Sequence, residues 1–143
     1  MSLNNILYHY WKQLHSKQKP PSMEQIISDD ILEIWQHCFI MSIKMASNKL
    51  IYKYTHLGDE IVSAYKKELD PEHDSPPLVS SDPEILSGAF DEVMYYQNPI
   101  IEDKKILYSN SGIVKYDQCF LPLHSKDKNT YNIIGGMQYK IVS

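Results

Sequence analysis

The 143 residues, 43% apolar and 22% charged, suffice for one domain with a substantial core and not for two. A net charge of −4 argues against nucleic acid as a partner, because phosphate binding needs clustered positive charge. All 14 cationic side chains are lysine, so the planar arginine fork is missing; the wealth of Ile, Lys, Asn and Tyr fits an AT-rich genome, which thins arginine codons for reasons unrelated to function.

Apolar runs last only a few residues, short of the roughly 20 that span a bilayer, and no basic-then-apolar leader opens the chain. A cytoplasmic protein without a membrane partner is therefore expected. Cys38 and Cys119 stand far apart, with no CxxC pair and no histidine at ligand spacing, so two free thiols and no metal site are expected.

Leu3, Ile6, Leu7, Tyr10, Trp11 and Leu14 recur at spacings of three and four, which predicts an amphipathic helix over 3–18, capped by Ser2 and ended by Pro20-Pro21. Such a stripe folds back on its own core or pairs with another surface, and periodicity treats the two alike. Ser22-Met23-Glu24-Gln25 has capping-box spacing, so a short helix starts there and breaks near Asp29-Asp30, with one more turn over Ile31 to Ile34. Two alternating runs, His37 to Lys44 and Leu50 to Tyr54, flank Ala46-Ser47-Asn48 and predict a β-hairpin closed by Gly58.

Asp59 to Leu69 carries Ile61, Val62, Tyr65 and Leu69 at helical spacing before Pro71. The proline- and serine-rich stretch from Pro71 to Asp82 is a loop. From Ser81 or Asp82 a longer helix runs through Ile85, Leu86, Ala89, Phe90, Val93 and Met94 towards Asn98-Pro99. Three strands follow, about 100–109, 112–122 and 130–142, with turns at Asn110-Ser111-Gly112 and Ser125 to Asn129.

Two strands, a helical crossover and a three-stranded meander make an α+β fold: a five-stranded antiparallel sheet with helices on one face and an N-terminal amphipathic helix. The helix and its break take residues 1–21 and the domain proper 22–143, within one compact unit. This order is similar to the PAS fold. Tyr10-Trp11, the Pro20-Pro21-Ser22 break and Ile31-Leu32 resemble the opening of the compact, single-domain alphaproteobacterial PAS family. Tyr54-Thr55-His56-Leu57-Gly58 stands at that family's Tyr-Arg-x-x-Gly motif, and Tyr65-Lys66-Lys67-Glu68-Leu69 at its Tyr-Gly-x-x-Leu-like helix end. Tyr116, Leu121-Pro122-Leu123 and Ile133-Ile134-Gly135-Gly136 resemble its closing strands. The chain departs from the pattern at Thr55, where the family has an arginine, and at Lys67, where a small residue is common.

PAS relatives often hold haem, flavin or a small metabolite between the sheet and the long helix. Residues 82–109 contain no histidine to act as an axial haem ligand, and neither cysteine sits in an Asn-Cys-Arg-Phe-like helix, so neither haem nor a photoactive flavin is expected. What remains is an unknown small metabolite in a cavity lined by Phe90, Val93 and Met94 from the helix and by Tyr54, Tyr116 and Cys119 from the sheet, with Thr55 and Gly58 in the adjoining motif. The same side chains also suit a solid core.

Catalysis is not expected. His56, Asp59 and Ser63 suit the cap of a strand-to-helix turn better than an acid–base pair, and Gly135-Gly136 within a strand suggests a bulge or a close backbone approach. Glu72-His73-Asp74 suits a solvated loop, and His9, His15, Lys66-Lys67 and Lys104-Lys105 suit solvated faces. The resemblance implies a regulatory module in signalling. With its last predicted strand at the chain end and no attached output domain, the expectation is action by protein–protein contact, as a homodimer or by docking on a histidine kinase or another signalling protein. Leu3, Ile6, Leu7, Tyr10, Trp11 and Leu14 are the expected interface. The alternative is a sensor whose bound metabolite changes the first helix or the long loop.

Overall fold

A computed structural model describes residues 2–16, 19–64, 92–109 and 112–141. The expectations for Tyr65 to Leu69, for the 71–82 loop with Glu72-His73-Asp74, for the long helix up to residue 91 with Phe90, and for the Asn110-Ser111 turn lie outside those residues. The elements in chain order are α1 (Leu3–Leu14), α2 (Met23–Ile26), a 3-10 helix (Asp29–His37), β1 (Cys38–Ala46), β2 (Lys49–Leu57) and α3 (Asp59–Ala64). Helical residues 92–96 and strands β3 (Ile100–Ser109), β4 (Gly112–Leu123) and β5 (Thr130–Ile141) complete them. The five strands form one antiparallel sheet in the order β2-β1-β5-β4-β3. The first and last strands meet at its centre. The architecture is α+β and consistent with a PAS-like fold that includes an N-terminal helix.

Strand alternation gives the sheet two apolar faces, and helices cover both. On one face Phe39, Met41, Ile43, Phe120, Ile133 and Met137 pack with Ile61 of α3 and with Val93 and Met94. On the other, Cys38, Ile40, Cys119, Leu121, Leu123 and Ile134 pack with Leu3, Leu7 and Trp11 of α1, Ile26 of α2, and Ile31 and Ile34 of the 3-10 helix. Of the two fates that periodicity left open for α1, the structure shows the first: it folds back on its own sheet. The indole N–H of Trp11 donates to the Pro122 carbonyl at 2.8 Å.

The expected docking stripe is thereby corrected. Leu3, Leu7 and Trp11 are buried within the chain, while Ile6, Tyr10 and Leu14 pack half-buried at the border of the same cluster. A helix tethered to the face it covers competes at a far higher effective concentration than any separate partner.

Local chemistry explains the element ends. Ser2 Oγ accepts from the Asn5 N–H at the start of α1, but the helix ends at Leu14, before the prolines. His15 turns extended there, and Ser16 and Lys19 exchange backbone hydrogen bonds of 3.1 and 2.7 Å. The capping box of α2 forms as expected, with Ser22 Oγ accepting from the Gln25 N–H and Gln25 Oε1 from the Ser22 N–H. The single turn expected next is instead a 3-10 helix of nine residues, longer than the three or four that are about usual. Residues three apart eclipse in that geometry, so Ile31 and Ile34 both reach the sheet.

Ser47 and Asn48, at φ of 50° and 63°, make the two-residue left-handed turn that joins β1 to β2. Each edge strand is interrupted. In β2, Ile40 pairs with His56 and Met41 with Tyr54, which leaves Thr55 as the extra residue of a bulge. In β3, Asp103 and Lys104 intervene between the Glu102–Gln118 and Lys105–Tyr116 pairs; Lys104 takes a φ of 56° and its N–H donates to Asp117 Oδ1 at 2.7 Å. At Gly135 a Cβ would lie 2.3 Å from both the Cys119 carbonyl and the Phe39 ring. Of the two expectations for Gly135-Gly136, close approach is the one found, since the register runs through both without a shift.

Candidate functional site

Tyr54, Val93, Met94 and Tyr116 lie on one face of the sheet, in or against the cluster that α3 helps cover. Cys119 does not join them. It stands three residues from Tyr116, so alternation turns its side chain to the α1 face, where it is fully buried. Thr55 is an exposed bulge residue whose hydroxyl donates to the Ile40 carbonyl at 3.4 Å, which gives it a role in the strand rather than in a pocket. Gly58 is a packing residue: its N–H donates to the Cys38 carbonyl at 2.8 Å, and a Cβ there would lie 2.1 Å from the Gln36 carbonyl. Phe90 lies outside the described residues.

A buried polar residue on the Tyr116 face was not anticipated. Gln118 falls between Tyr116 and Phe120 by alternation, pairs with Glu102 and Met137 on the neighbouring strands, and is 2% exposed. Its Nε2 donates to Glu102 Oε1 at 2.8 Å, while its own Oε1 is buried with no hydrogen-bond partner. Leaving a buried acceptor unpaired costs about 1–3 kcal/mol. The signal was in the sequence as a long polar side chain at an inward position between two aromatics.

Glu102 is half-buried, and Gln118 is the one hydrogen-bond partner of its carboxylate among the described residues, with no ion pair. Lys105 stands opposite Tyr116 in the register but is exposed, and the bulge separates it from Glu102. Burial first, and the negative charge of Glu102 second, raise the Tyr116 hydroxyl above its ordinary value. Burial alone pushes Tyr54 up to about 12. The Gln118 amide oxygen and the Glu102 carboxylate thus share a largely apolar face with two protonated tyrosine hydroxyls.

Behind the site, α1 holds the same two strands. Asn4 is 0% exposed, and its Nδ2 donates to the carbonyls of Glu102 and Gln118, at 3.2 Å each, and to Asp103 Oδ1 at 2.7 Å. The side chains of Glu102 and Gln118 thus meet on one face while their backbone carbonyls are tied to α1.

Two open clefts flank the β4–β5 turn. One, of about 360 Å³, lies between Met94, Tyr95 and Gln97 and the strand ends at Leu123, His124 and Tyr131. The other, of about 260 Å³, lies between Ser22, Met23 and Glu24 and the same turn. The Asp127 carboxylate at their rim is already engaged by the Asn129 N–H and the Thr130 hydroxyl, which hold it below the usual carboxylate range. His56 is turned onto Trp35, so the candidate pairing with Asp59 is not what its ring engages. Among the described residues no group of three or more His, Cys, Asp or Glu could hold a metal ion, and no helix is long and apolar enough to cross a membrane.

No family model matches the chain, and no curated protein matches it.

Proposed function

We propose that this chain is a PAS-like regulatory module that senses a small molecule on the Tyr116–Gln118 face of its sheet. The observation that supports this reading is the buried, unpartnered Oε1 of Gln118 beside an unpaired carboxylate, because native interiors rarely leave an acceptor unsatisfied. A route for the signal is built in. Asn4 ties α1 to the carbonyls of Glu102 and Gln118, so a ligand that moves either strand alters the seat of α1. A ligand indifferent to that movement would shift nothing.

The test is native mass spectrometry of freshly purified protein beside a denatured control, with amide exchange of α1 before and after the retained compound is stripped. Extra mass lost on denaturation, together with faster exchange in α1 after stripping, is the expected result. A bare chain whose α1 exchange is unaffected by metabolite extract overturns the reading.

A second reading is action by protein–protein contact, as a homodimer or by docking on a signalling protein such as a histidine kinase. It draws on Ile101 and Ile106, 38% and 53% exposed, which share the α1 side of edge strand β3 in register with Cys119 and Lys115. Light scattering on Ile106→Glu tests its homodimer form: a fall in mass relative to the parent chain supports self-association through this strand, and an unchanged mass excludes it. Both readings take the module as cytoplasmic and non-enzymatic, without haem or a photoactive flavin.

A further inference from the structure

We infer that the ligand of the Tyr116–Gln118 face is a small primary amine with an apolar body, its ammonium group seated between Gln118 Oε1 and the Glu102 carboxylate. This rests on the sensor reading and names the chemistry of its ligand.

Among the described residues, Gln118 Oε1 has no donor facing it, and the Glu102 carboxylate has one, from the Gln118 amide. The donor end of the Gln118 amide is turned to Glu102, which leaves Oε1 facing nothing that can donate to it. The Glu102 carboxylate accepts that one bond and no other among the described residues. The Tyr116 hydroxyl, raised by burial and by the charge of Glu102, stays protonated and neutral, so it adds no competing charge. Its ring also presents an aromatic surface of the kind that attracts cations.

A complementary ligand must therefore bring N–H donors and a positive charge. An ammonium group supplies three donors and no acceptor, which matches a carboxylate and an amide oxygen at once. An alcohol supplies one donor and no charge, and a carboxylate or phosphate would be repelled by Glu102. The apolar body follows from the neighbours, since Met137 is buried beside Gln118 and Phe120 lies beyond it on the same face. Lys105, the described cation in register with the site, is exposed to solvent and does not supply the missing donor.

Calorimetry on the full chain tests this with isopentylamine and its neutral counterpart isopentanol as probes. The expected result is amine binding at least tenfold tighter than alcohol binding, reduced at least tenfold in Glu102→Gln. Gln118→Leu provides a second variant that does not depend on the first folding well: it removes the orphan acceptor and leaves the Glu102 charge, so it should weaken amine binding at least tenfold while leaving alcohol binding within about twofold. Equal affinity for the two probes overturns the amine assignment while leaving binding of a small apolar molecule in place. Binding of neither probe overturns it too, and the retained-mass measurement then decides separately whether the sensor reading stands.

Discussion

Trp35 and His56 lie face to face, their ring centroids 3.7 Å apart and their planes 10° from parallel. The Trp35 carbonyl lies 3.0 Å from His56 Nε2, and since a carbonyl only accepts, the imidazole carries a proton on that nitrogen. The pair fastens the end of the 3-10 helix to β2, one residue beyond the Thr55 bulge that sets His56 in place.

Replacing His56 with Ala should cost about 1.5–2.5 kcal/mol, combining a ring contact worth about 0.5–1.5 kcal/mol with a net hydrogen bond of about 1 kcal/mol. Urea unfolding followed by far-UV circular dichroism measures it. A cost near zero would mean that the 3-10 helix is held by Ile31 and Ile34 alone.

The glycines should not be equivalent. Gly58→Ala and Gly135→Ala drive a methyl into backbone carbonyls at 2.1 and 2.3 Å and should cost about 3 kcal/mol or more. Gly136→Ala meets Leu3 Cδ2 at 3.2 Å, the end of a flexible side chain, and should cost about 1 kcal/mol or less. Melting temperatures of the three variants should rank accordingly.

The two thiols should be inert in the native protein. Burial is the main cause that pushes Cys119 up to about 12 and raises Cys38 further, from an ordinary value of 9.0. Iodoacetamide at pH 8 should label neither until urea is added, and then both. Above pH 9 the unfolded chain loses these protons while the folded chain keeps them. Their contribution to stability is therefore complete below about pH 9 and is lost as pH climbs towards 12, with Tyr54 adding to the decline above its ordinary 10.0. A flat unfolding midpoint from pH 8 to 11 would contradict this.

Within α1, Leu7→Ala should cost about 2–5 kcal/mol by opening a cavity, and Trp11→Phe should strand the Pro122 carbonyl at a cost of about 1–3 kcal/mol. Ile106→Ser, on the exposed edge, should stay within about 0.5 kcal/mol. Denaturant midpoints separate the three.

Much of the fold was legible because the signals were local. The Ser22–Gln25 box, the Ser47-Asn48 turn and the alternation in β1, β4 and β5 each act over a few residues, and the strands formed close to their expected bounds. The fate of α1 was not legible, because an apolar stripe has the same period whether it meets its own sheet or another surface. Of the residues expected to line a cavity, Tyr54, Val93, Met94 and Tyr116 share a face, whereas Cys119 was assigned against the parity of its own strand; parity places Gln118 on that face instead. The Thr55 bulge and the length of the 3-10 helix depend on contacts with Ile40 and with the sheet, which no local pattern encodes.

Both outer strands break step, β2 at Thr55 and β3 at Asp103-Lys104. A foreign strand laid along either border would lose its pairing after a few residues, and beyond the break its side chains would no longer match the pleat. Each interruption therefore blunts its border against strand-by-strand extension of the sheet by further copies of this chain.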